Sequence, residues 1–148
     1  MIRFTKNGFE KLKKDLENLT KERPAAVLDL KKARDMGDLS ENGYYKSTKS
    51  RLSSIDYNLR KLSYELKNAA VVQHGNKGYA DIGSTVILKN QDGEVTYFLV
   101  GDLEAEPSKH KISLFSPIGK SILGKRAGDK IIIEIPKGKI NYTIEKIL

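Results

Sequence analysis

Two acidic residues, Asp38 and Glu41, stand three positions apart in the short segment between Gly37 and Gly43. This spacing is typical of a capping box, in which one side chain accepts from first-turn amides of a helix and the other reaches back. It also brings two carboxylates close together, and carboxylate oxygens are ligands that Mg²⁺ prefers. Two carboxylates are too few to hold Mg²⁺ alone, so the pair could complete a metal site in another protein. Both interpretations stay open, because one oxygen can cap a helix while the other remains available.

Composition limits the chemistry that the chain can perform by itself. The chain has 148 residues with no Cys, no Trp and two His. The lack of Cys excludes a disulfide framework, a thiol nucleophile and a Cys-based zinc site, and two isolated His do not form a metal site. We therefore expect no cofactor of the chain's own. The formal net charge of +8 favours an anionic partner such as a nucleic acid, or a complex that contains one.

The apolar residues occur only in short runs. The first eight residues lack the apolar core of a signal peptide, and the longest apolar runs are about four residues, far short of a membrane span. We expect a cytoplasmic protein with no membrane partner.

Charge and composition change near the middle of the chain. Residues 1–74 hold 16 Lys and Arg against 10 Asp and Glu, a net of +6, whereas residues 75–148 hold 11 against 9, a net of +2. The second half is also richer in Val, Ile, Gly and turn pairs. These changes predict two domains, 1–74 and 75–148, joined at the polar segment that begins at His74.

Apolar residues in the first half recur at alternating spacings of three and four, which is the heptad pattern of a coiled coil. One stripe contains Phe9, Leu12, Leu16, Leu19, Ala26, Leu30 and Ala33, and stays in phase if Arg23 fills the missing position. The other contains Tyr45, Thr48, Leu52, Ile55, Leu59, Leu62, Leu66 and Ala69. Because each stripe is too narrow to bury itself, we predict an antiparallel helical hairpin from helices over about 8–35 and 41–70. Thr5 is the expected cap of the first helix, and Pro24 predicts a kink or brief break in it.

The second half alternates strand-like runs with turn signals. Strands are predicted over 84–89, 94–100, 111–115, 130–135 and 139–146, with the Asp92-Gly93 pair in the first hairpin turn. A short helix is predicted from Pro117 to about Leu123, and Ser116 is its candidate cap. The fold class is therefore α+β, with a helical hairpin followed by a small β-sheet domain that carries one helix.

Several motifs together resemble a known family, the bacterial Gre transcript-cleavage and transcription elongation factors, and most closely its GreA members. The matching residues are Arg23-Pro24, the run Ala33–Asn42, Tyr45, Val100-Gly101-Asp102, the run Ser116–Lys125 and Gly128-Asp129. The resemblance covers essentially the whole chain. It implies that the β-sheet domain has the small fold that Gre factors share with FKBP-type prolyl isomerases.

The resemblance also implies a function for the acidic pair. Gre factors bind RNA polymerase at its secondary channel and insert the helical hairpin towards the catalytic centre. There the positions that match Asp38 and Glu41 help to hold a Mg²⁺ of the polymerase, which hydrolyses its own backtracked transcript. The chain is then an accessory factor and not itself an enzyme, and we expect it to be a monomer.

Other residues receive roles from the same resemblance. Arg34 and Lys49 match a basic patch that contacts the 3′ segment of the backtracked RNA, although exposed cations can also simply keep a coiled coil soluble. Ser116, Pro117 and Ile118 match part of the polymerase-docking surface, although Ser116 and Pro117 also suit the start of a helix. Asp102 and Glu104 are either docking residues or solvated charges.

The chain departs from the family pattern directly after the acidic pair. Where family members commonly have Asn-Ala-Glu-Tyr, this chain has Asn42-Gly43-Tyr44-Tyr45.

An inhibitory channel-binding regulator without cleavage stimulation is the main alternative function, and the presence of both Asp38 and Glu41 favours the activator. A coiled-coil chaperone or an FKBP-like isomerase is a further alternative, but the charged hairpin offers no apolar client surface. The net charge of +6 on residues 1–74 would suit the longer backtracked RNA segments on which GreB acts. The motif around Asp38 and Glu41, however, favours GreA.

Overall fold

The computed structural model describes residues 1–37, 42–75 and 77–148. Contacts between residues divide the chain into two compact units, one formed by Met1–Phe9 with Ala69–Leu148 and the other by Glu10–Asn68. The domain boundary after residue 74 stays a prediction, and the nine N-terminal residues group with the second half of the chain. The predicted α+β class is confirmed, because two long helices precede a curled mixed β-sheet with one short helix.

Two long helices form the helical unit. Helix α1 spans Lys6–Asp35 and helix α2 spans Gly43–Lys67. They run antiparallel, since Arg23 bonds to Asp56 while Ala33, further along α1, bonds to Asn42 before α2. The seam residues predicted for both helices are buried or half-buried except Arg23, which is exposed. The fully buried members are Leu12, Ala26, Leu30, Ala33, Thr48 and Ile55.

The helix ends agree in part with the expected caps. Thr5 caps α1 as predicted, because its hydroxyl accepts from the Gly8 N–H at 3.1 Å. Gly37 follows α1 with a φ of 101°, the left-handed conformation that glycine tolerates. The cap of α2, however, is Asn42, whose Oδ1 accepts from the Tyr45 N–H at 3.1 Å. The helix thus begins later than expected, and Asp38 and Glu41, for which a capping box was expected, lie outside the described residues.

Pro24 lies inside α1, which runs without interruption, so the expected brief break near Lys21–Pro24 is wrong, whereas the expected kink stays a prediction. Proline removes the donor that would reach the carbonyl of Thr20. Both Thr20 and Pro24 are on the exposed face of the helix, where water can satisfy that carbonyl.

The second unit is built around a five-stranded sheet. Its strands are β3 (Thr85–Asn90), β4 (Gly93–Val100), β5 (Lys111–Ser113), β6 (Lys130–Ile135) and β7 (Gly138–Ile147), in the order β5-β4-β3-β7-β6. The β4–β5 pair is parallel and the other pairs are antiparallel. Helix α3 (Pro117–Ile122) contributes Ile122 to the core, and a short 3₁₀ helix spans Pro107–Lys109. The core contains Val86, Leu88, Leu99, Ile112, Ile131, Ile133 and Ile144.

A second, two-stranded sheet was absent from the sequence-based expectations. Strand β1 (Ile2–Phe4) pairs in parallel with β2 (Ala69–Val71), which follows directly after α2. Ala69 therefore belongs to a strand and not to the helical seam. The pairing anchors the chain just before α1 and just after α2 to the same sheet.

The carboxylates of Asp102 and Glu104 hold the N-terminal segment in place. The Asp102 carboxylate accepts from the Arg3 backbone N–H at 2.8 Å and from the Arg3 guanidinium at 2.8 and 3.3 Å. Glu104 accepts from the backbone N–H and hydroxyl of Thr5 and from the Gly101 N–H. These residues are thus structural partners of the N-terminal segment and not freely solvated charges.

Gly101 allows this close approach, because a methyl group on its Cα would overlap the Arg3 carbonyl oxygen and the Glu104 carboxylate. We predict that Gly101→Ala lowers the free energy of unfolding by about 1–3 kcal/mol, the usual cost of overpacking. Gly43→Ala is the matched control: a methyl group there meets no atom within 4 Å, and alanine should stabilise the helix by up to about 1 kcal/mol. Chemical denaturation measures both, and equal effects would contradict the assigned contact.

The stability contributed by Asp102 should depend on pH. Burial opposes ionisation of this carboxyl, but the hydrogen bonds from Arg3 outweigh it and hold the pKa of Asp102 below its ordinary value. A depressed pKa in the folded state stabilises the fold above the unfolded pKa of about 3.9, and the contribution is lost as pH falls through the folded pKa. Asp102→Asn should therefore cost about 1–2 kcal/mol near pH 7.

Urea denaturation at a series of pH values measures this difference between the wild type and Asp102→Asn. The difference should shrink steadily below about pH 4. Asp92→Asn, in the exposed turn between β3 and β4, is the control and should have little effect at any pH. A difference for Asp102→Asn that stays constant down to pH 3 would rule out the ionic contribution.

Candidate functional site

The acidic pair lies outside the residues that the structure describes, but the chain on either side of it is well defined. Helix α1 ends at Asp35, and Asn42 precedes α2. The Asn42 side chain bonds to both helices, because its Nδ2 donates to the Ala33 carbonyl at 3.3 Å and its Oδ1 accepts from the Tyr45 N–H. One side chain thus fastens the last turn of α1 to the first turn of α2. Asp38 and Glu41 belong to the connection that this residue closes.

The donor set available from this connection suits a hard cation but does not complete a site. Asp38 and Glu41 supply only carboxylate oxygens, which match Mg²⁺ in type, and Mg²⁺ needs six ligands in nearly octahedral geometry. Within residues 1–37, 42–75 and 77–148, no group of three or more His, Asp or Glu side chains is placed to hold a metal ion. That search does not include Asp38 and Glu41, and the two carboxylates alone supply fewer oxygens than Mg²⁺ needs.

Exposed cations occupy both helices next to the acidic pair. Every basic residue expected to lie off the seam is exposed, which confirms that expectation for Lys31, Lys32, Arg34, Lys46, Lys49 and Arg51. The Lys49 ammonium lies 5.9 Å from the centre of the Tyr45 ring. Arg34 and Lys49 are accessible to a phosphate backbone, which such residues bind without regard to sequence. Their role as an RNA-contacting patch stays a prediction.

Arg51 differs from these neighbours, because its guanidinium is already engaged by α1. It donates to Asp29 at 3.0 Å and to Glu22 at 3.4 Å. Arg51 therefore connects the two helices and is less available to a ligand.

A second cross-helix ion pair occupies the seam itself. Arg23 donates to the two carboxylate oxygens of Asp56 at 2.6 and 3.3 Å. The hydrogen bond from Arg23 lowers the pKa of Asp56, and the same bond raises the pKa of Arg23. A polar residue at one seam position can fix the register of a coiled coil, because a shifted alignment leaves it without its partner. The pair therefore favours the register in which Arg23 lies opposite Asp56.

The residues predicted for docking have clear structural roles in the sheet unit. The Ser116 hydroxyl accepts from the Gly119 N–H at 2.9 Å and donates to the Ser113 carbonyl at 2.8 Å, so Ser116 caps α3 as expected. Ile118 packs against the core, whereas Pro117 is exposed. Phe115, which the sequence analysis did not assign, is 64% exposed, and the Arg3 guanidinium lies 5.5 Å from its ring centre. Docking through Ser116, Pro117 and Ile118 is untested, and Pro117 is the member most available to a partner.

An FKBP-like isomerase site needs an aromatic-lined cup, and the tyrosines of the sheet unit contribute differently in the residues that the structure describes. Tyr97 and Tyr142 pack against the core, and burial raises the pKa of Tyr97. The groove along β3, β6 and β7 is lined mainly by polar and basic residues, with Tyr142 as its aromatic member.

Among the helices that the structure describes, none combines the length and apolarity that crossing a bilayer requires.

Comparisons with known proteins match the whole chain to one family. Residues 2–71 match the family model described as transcription elongation factor, N-terminal, and residues 75–148 match the model for the C-terminal part of GreA and GreB. The chain is 39% identical to transcription elongation factor GreA of Solidesulfovibrio magneticus, with 99% of the chain and 92% of the relative covered. It is 40% identical to GreA of Nautilia profundicola, with 97% and 92% covered.

A solved structure is also similar over nearly its full length. GreA factor homolog 1 of Thermus thermophilus is 26% identical, with 99% of this chain and 98% of that chain covered and a TM-score of 0.47.

The assigned register can be tested by reversing charges in the seam pair. We predict that Arg23→Asp and Asp56→Arg each lower the melting temperature, because each places like charges opposite one another. The double variant should recover most of the loss. Thermal unfolding followed by circular dichroism gives all four values.

The exposed pair Glu17 and Lys21, one turn apart within α1, provides the control. Reversing both of its members should leave the stability nearly unchanged. Additive losses in the Arg23→Asp/Asp56→Arg double variant would show that the two residues do not interact across the helices.

Proposed function

This chain belongs to the GreA/GreB family of transcription elongation factors, and we propose that it rescues arrested transcription by stimulating RNA cleavage within RNA polymerase. In this proposal the factor binds at the secondary channel of the polymerase, in the bacterial cytoplasm. The helical hairpin presents Asp38 and Glu41 to the catalytic centre. The polymerase then hydrolyses its own backtracked transcript, and the factor is not an enzyme by itself.

The observation that carries this proposal is the position of the acidic pair in the chain. Asp38 and Glu41 lie in the connection between two long antiparallel helices. Asn42 forms hydrogen bonds with both helices next to that connection, and the Arg23–Asp56 ion pair joins α1 to α2. A donor set that cannot complete a Mg²⁺ site is thus carried by an element suited to deliver it to another protein.

The chain's residues divide the proposed work between metal binding and positioning. Asp38 and Glu41 would supply carboxylate oxygens to a Mg²⁺ that the polymerase holds with its own ligands; such an ion activates the attacking water and stabilises the developing charge on phosphate. Arg34 and Lys49 would bind phosphates of the extruded 3′ RNA segment. Asn42, Arg23 and Asp56 join the two helices to each other. Precise positioning matters, because small displacements of reacting groups cost large factors in rate.

The sheet unit supplies the proposed attachment to the polymerase. Pro117 is exposed at the start of α3, and the Ser116 cap holds that turn against β5. Phe115, which precedes Ser116 in the sequence, is also exposed. A rigid turn with exposed apolar atoms loses little conformational entropy on binding, which favours a docking role for Ser116, Pro117 and Ile118.

An inhibitory channel-binding regulator is the second candidate. The observation that favours it is the pair Gly43-Tyr44, which departs from the family pattern beside the acidic pair. A factor of this kind would bind the polymerase without stimulating cleavage.

Transcript cleavage by stalled, backtracked elongation complexes distinguishes the two functions. We predict that the wild-type factor stimulates cleavage, and that Asp38→Asn or Glu41→Gln reduces it to nearly the level without factor, since each variant removes a charged ligand. Affinity for the polymerase should stay within about twofold, well under the tenfold that 1.4 kcal/mol represents. Both substitutions preserve side-chain size, so the hairpin should be undisturbed.

Asp35→Asn, at the exposed end of α1, is the matched control and should cleave like the wild type. Unchanged cleavage by both Asp38→Asn and Glu41→Gln would contradict the proposed role. A wild-type factor that binds without any stimulation would instead identify the inhibitor.

A further inference from the structure

Strand β6 ends the five-stranded sheet on one side, and its outer edge is open. Within the described residues, β6 pairs with β7 on one side and with no strand on the other. The opposite edge strand, β5, is shorter and partly covered, because Lys111 exchanges backbone hydrogen bonds of 2.9 and 3.2 Å with Glu106. An open edge presents backbone N–H and C=O groups that can pair with a further strand.

The hydrogen-bond pattern between β6 and β7 shows which backbone groups face this edge. The Ile144 N–H donates to the Asp129 carbonyl at 2.8 Å, just before β6 begins. Hydrogen-bonded and non-hydrogen-bonded pairs alternate along an antiparallel ladder. From Asp129 onwards, the odd-numbered residues therefore bond to β7. The backbone groups of Lys130, Ile132 and Glu134 point to the open edge.

The side chains of the same three residues lie on the solvent face of the sheet. Ile132 is 57% exposed, and Lys130 and Glu134 are exposed on either side of it. Ile131 and Ile133, which alternate with them, are buried in the core. Charged side chains on an edge strand usually discourage further pairing. Here, however, the two charges have opposite signs and are equally distant from Ile132.

This charge pattern makes β6 complementary to a second copy of itself. If two copies run antiparallel with Ile132 opposite Ile132, Lys130 of each copy lies opposite Glu134 of the other. Glu134 already contacts Lys139 of its own chain at 3.5 Å and would then lie between two ammonium groups. Lys130 forms no ion pair with any described residue, so the second copy would supply its partner. A parallel pairing in register would instead place like charges opposite each other, which is destabilising.

The same alignment also pairs the backbone groups at the edge. Lys130, Ile132 and Glu134 all direct their N–H and C=O groups outwards, and all three would enter hydrogen-bonded pairs with the second copy. Asp129 and Lys137, the next charged residues on either side of the strand, are also of opposite sign and come together at its ends. Because a two-fold axis uses this edge of both copies, the assembly stops at two.

We propose that β6 pairs with β6 of a second copy of this chain and forms a reversible dimer whose sheet is continuous across both copies. The inference does not depend on the proposed function, and it differs from the monomer expected from the family resemblance. Pairing through one short strand buries less area than a permanent interface, so the dimer is weak and depends on protein concentration. Residues 75–148 carry a net charge of only +2, which limits repulsion between the two sheet units.

Disulfide trapping tests the alignment directly, because the chain contains no cysteine. Cα atoms in a hydrogen-bonded antiparallel pair are about 5.5 Å apart, within the range of about 4.4–6.8 Å that disulfides span. Ile132→Cys in the full-length protein should therefore form a covalent dimer on mild air oxidation. Phe98→Cys is the control and should remain mostly uncrosslinked, since Phe98 is exposed on the same face but belongs to β4.

Sedimentation equilibrium from micromolar to millimolar concentration measures the dimer without a cross-link. Lys130→Glu should raise the dissociation constant by about tenfold, because it places like charges opposite each other on both sides of the axis. Lys130→Glu/Glu134→Lys should recover most of this loss, since both pairs are then reversed. Lys89→Glu makes the same charge change on β3, away from the edge, and should dimerise like the wild type. Circular dichroism verifies that each variant is folded.

A wild-type protein that stays monomeric up to millimolar concentration would overturn the inference. A dimer that Lys130→Glu leaves unchanged, or equal cross-linking of Phe98→Cys and Ile132→Cys, would also overturn it, because the contact would then lie elsewhere. Growth beyond two copies would contradict the two-fold alignment. These measurements involve no polymerase, so failure of the proposed function leaves their outcome unaffected.

Discussion

Two carboxylates cannot hold Mg²⁺ by themselves, and this shortage of ligands explains the arrangement of the chain. Asp38 and Glu41 can act on a metal only where another protein supplies the remaining oxygens. They must therefore be carried into that protein and held there with precision. In the proposed function, the pair of long antiparallel helices is the carrier, and the sheet unit is the part that attaches to the partner. In this account the factor contributes ligands and position, while the partner contributes the catalytic centre.

Polar contacts join the two helices in addition to the apolar seam. The seam has small or polar members such as Ala26, Ala33 and Thr48, and a heptad pattern tolerates shifts by whole repeats. The Arg23–Asp56 pair and the bridge made by Asn42 remove that freedom. At the opposite end of both helices, β1 and β2 pair with each other and thereby fasten the first and last residues of the hairpin.

Much of the fold follows from sequence periodicity, and the exceptions have physical reasons. The heptad stripes predicted both helices, and strand alternation with the Asp92-Gly93 turn predicted the five-stranded sheet. The pairing of β1 with β2 was missed because each strand has three residues and the partners are far apart in sequence. The capping role of Asn42 was missed because Asp38 and Glu41 offered the more familiar spacing. The roles of Asp102 and Glu104 depend on N-terminal partners that no local pattern indicates. For the site, residue spacing and family resemblance identified the acidic pair.

In the proposed function, Asp38 and Glu41 of the factor supply carboxylate ligands to a Mg²⁺ of the polymerase. The Mg²⁺ dependence of cleavage tests this claim most directly. Cleavage by backtracked complexes is measured over a range of Mg²⁺ concentrations without factor, with the wild type and with Asp38→Asn. The account predicts that the wild type lowers the Mg²⁺ concentration for half-maximal cleavage and that Asp38→Asn returns it towards the value without factor. Faster cleavage by the wild type at an unchanged Mg²⁺ midpoint would contradict the account.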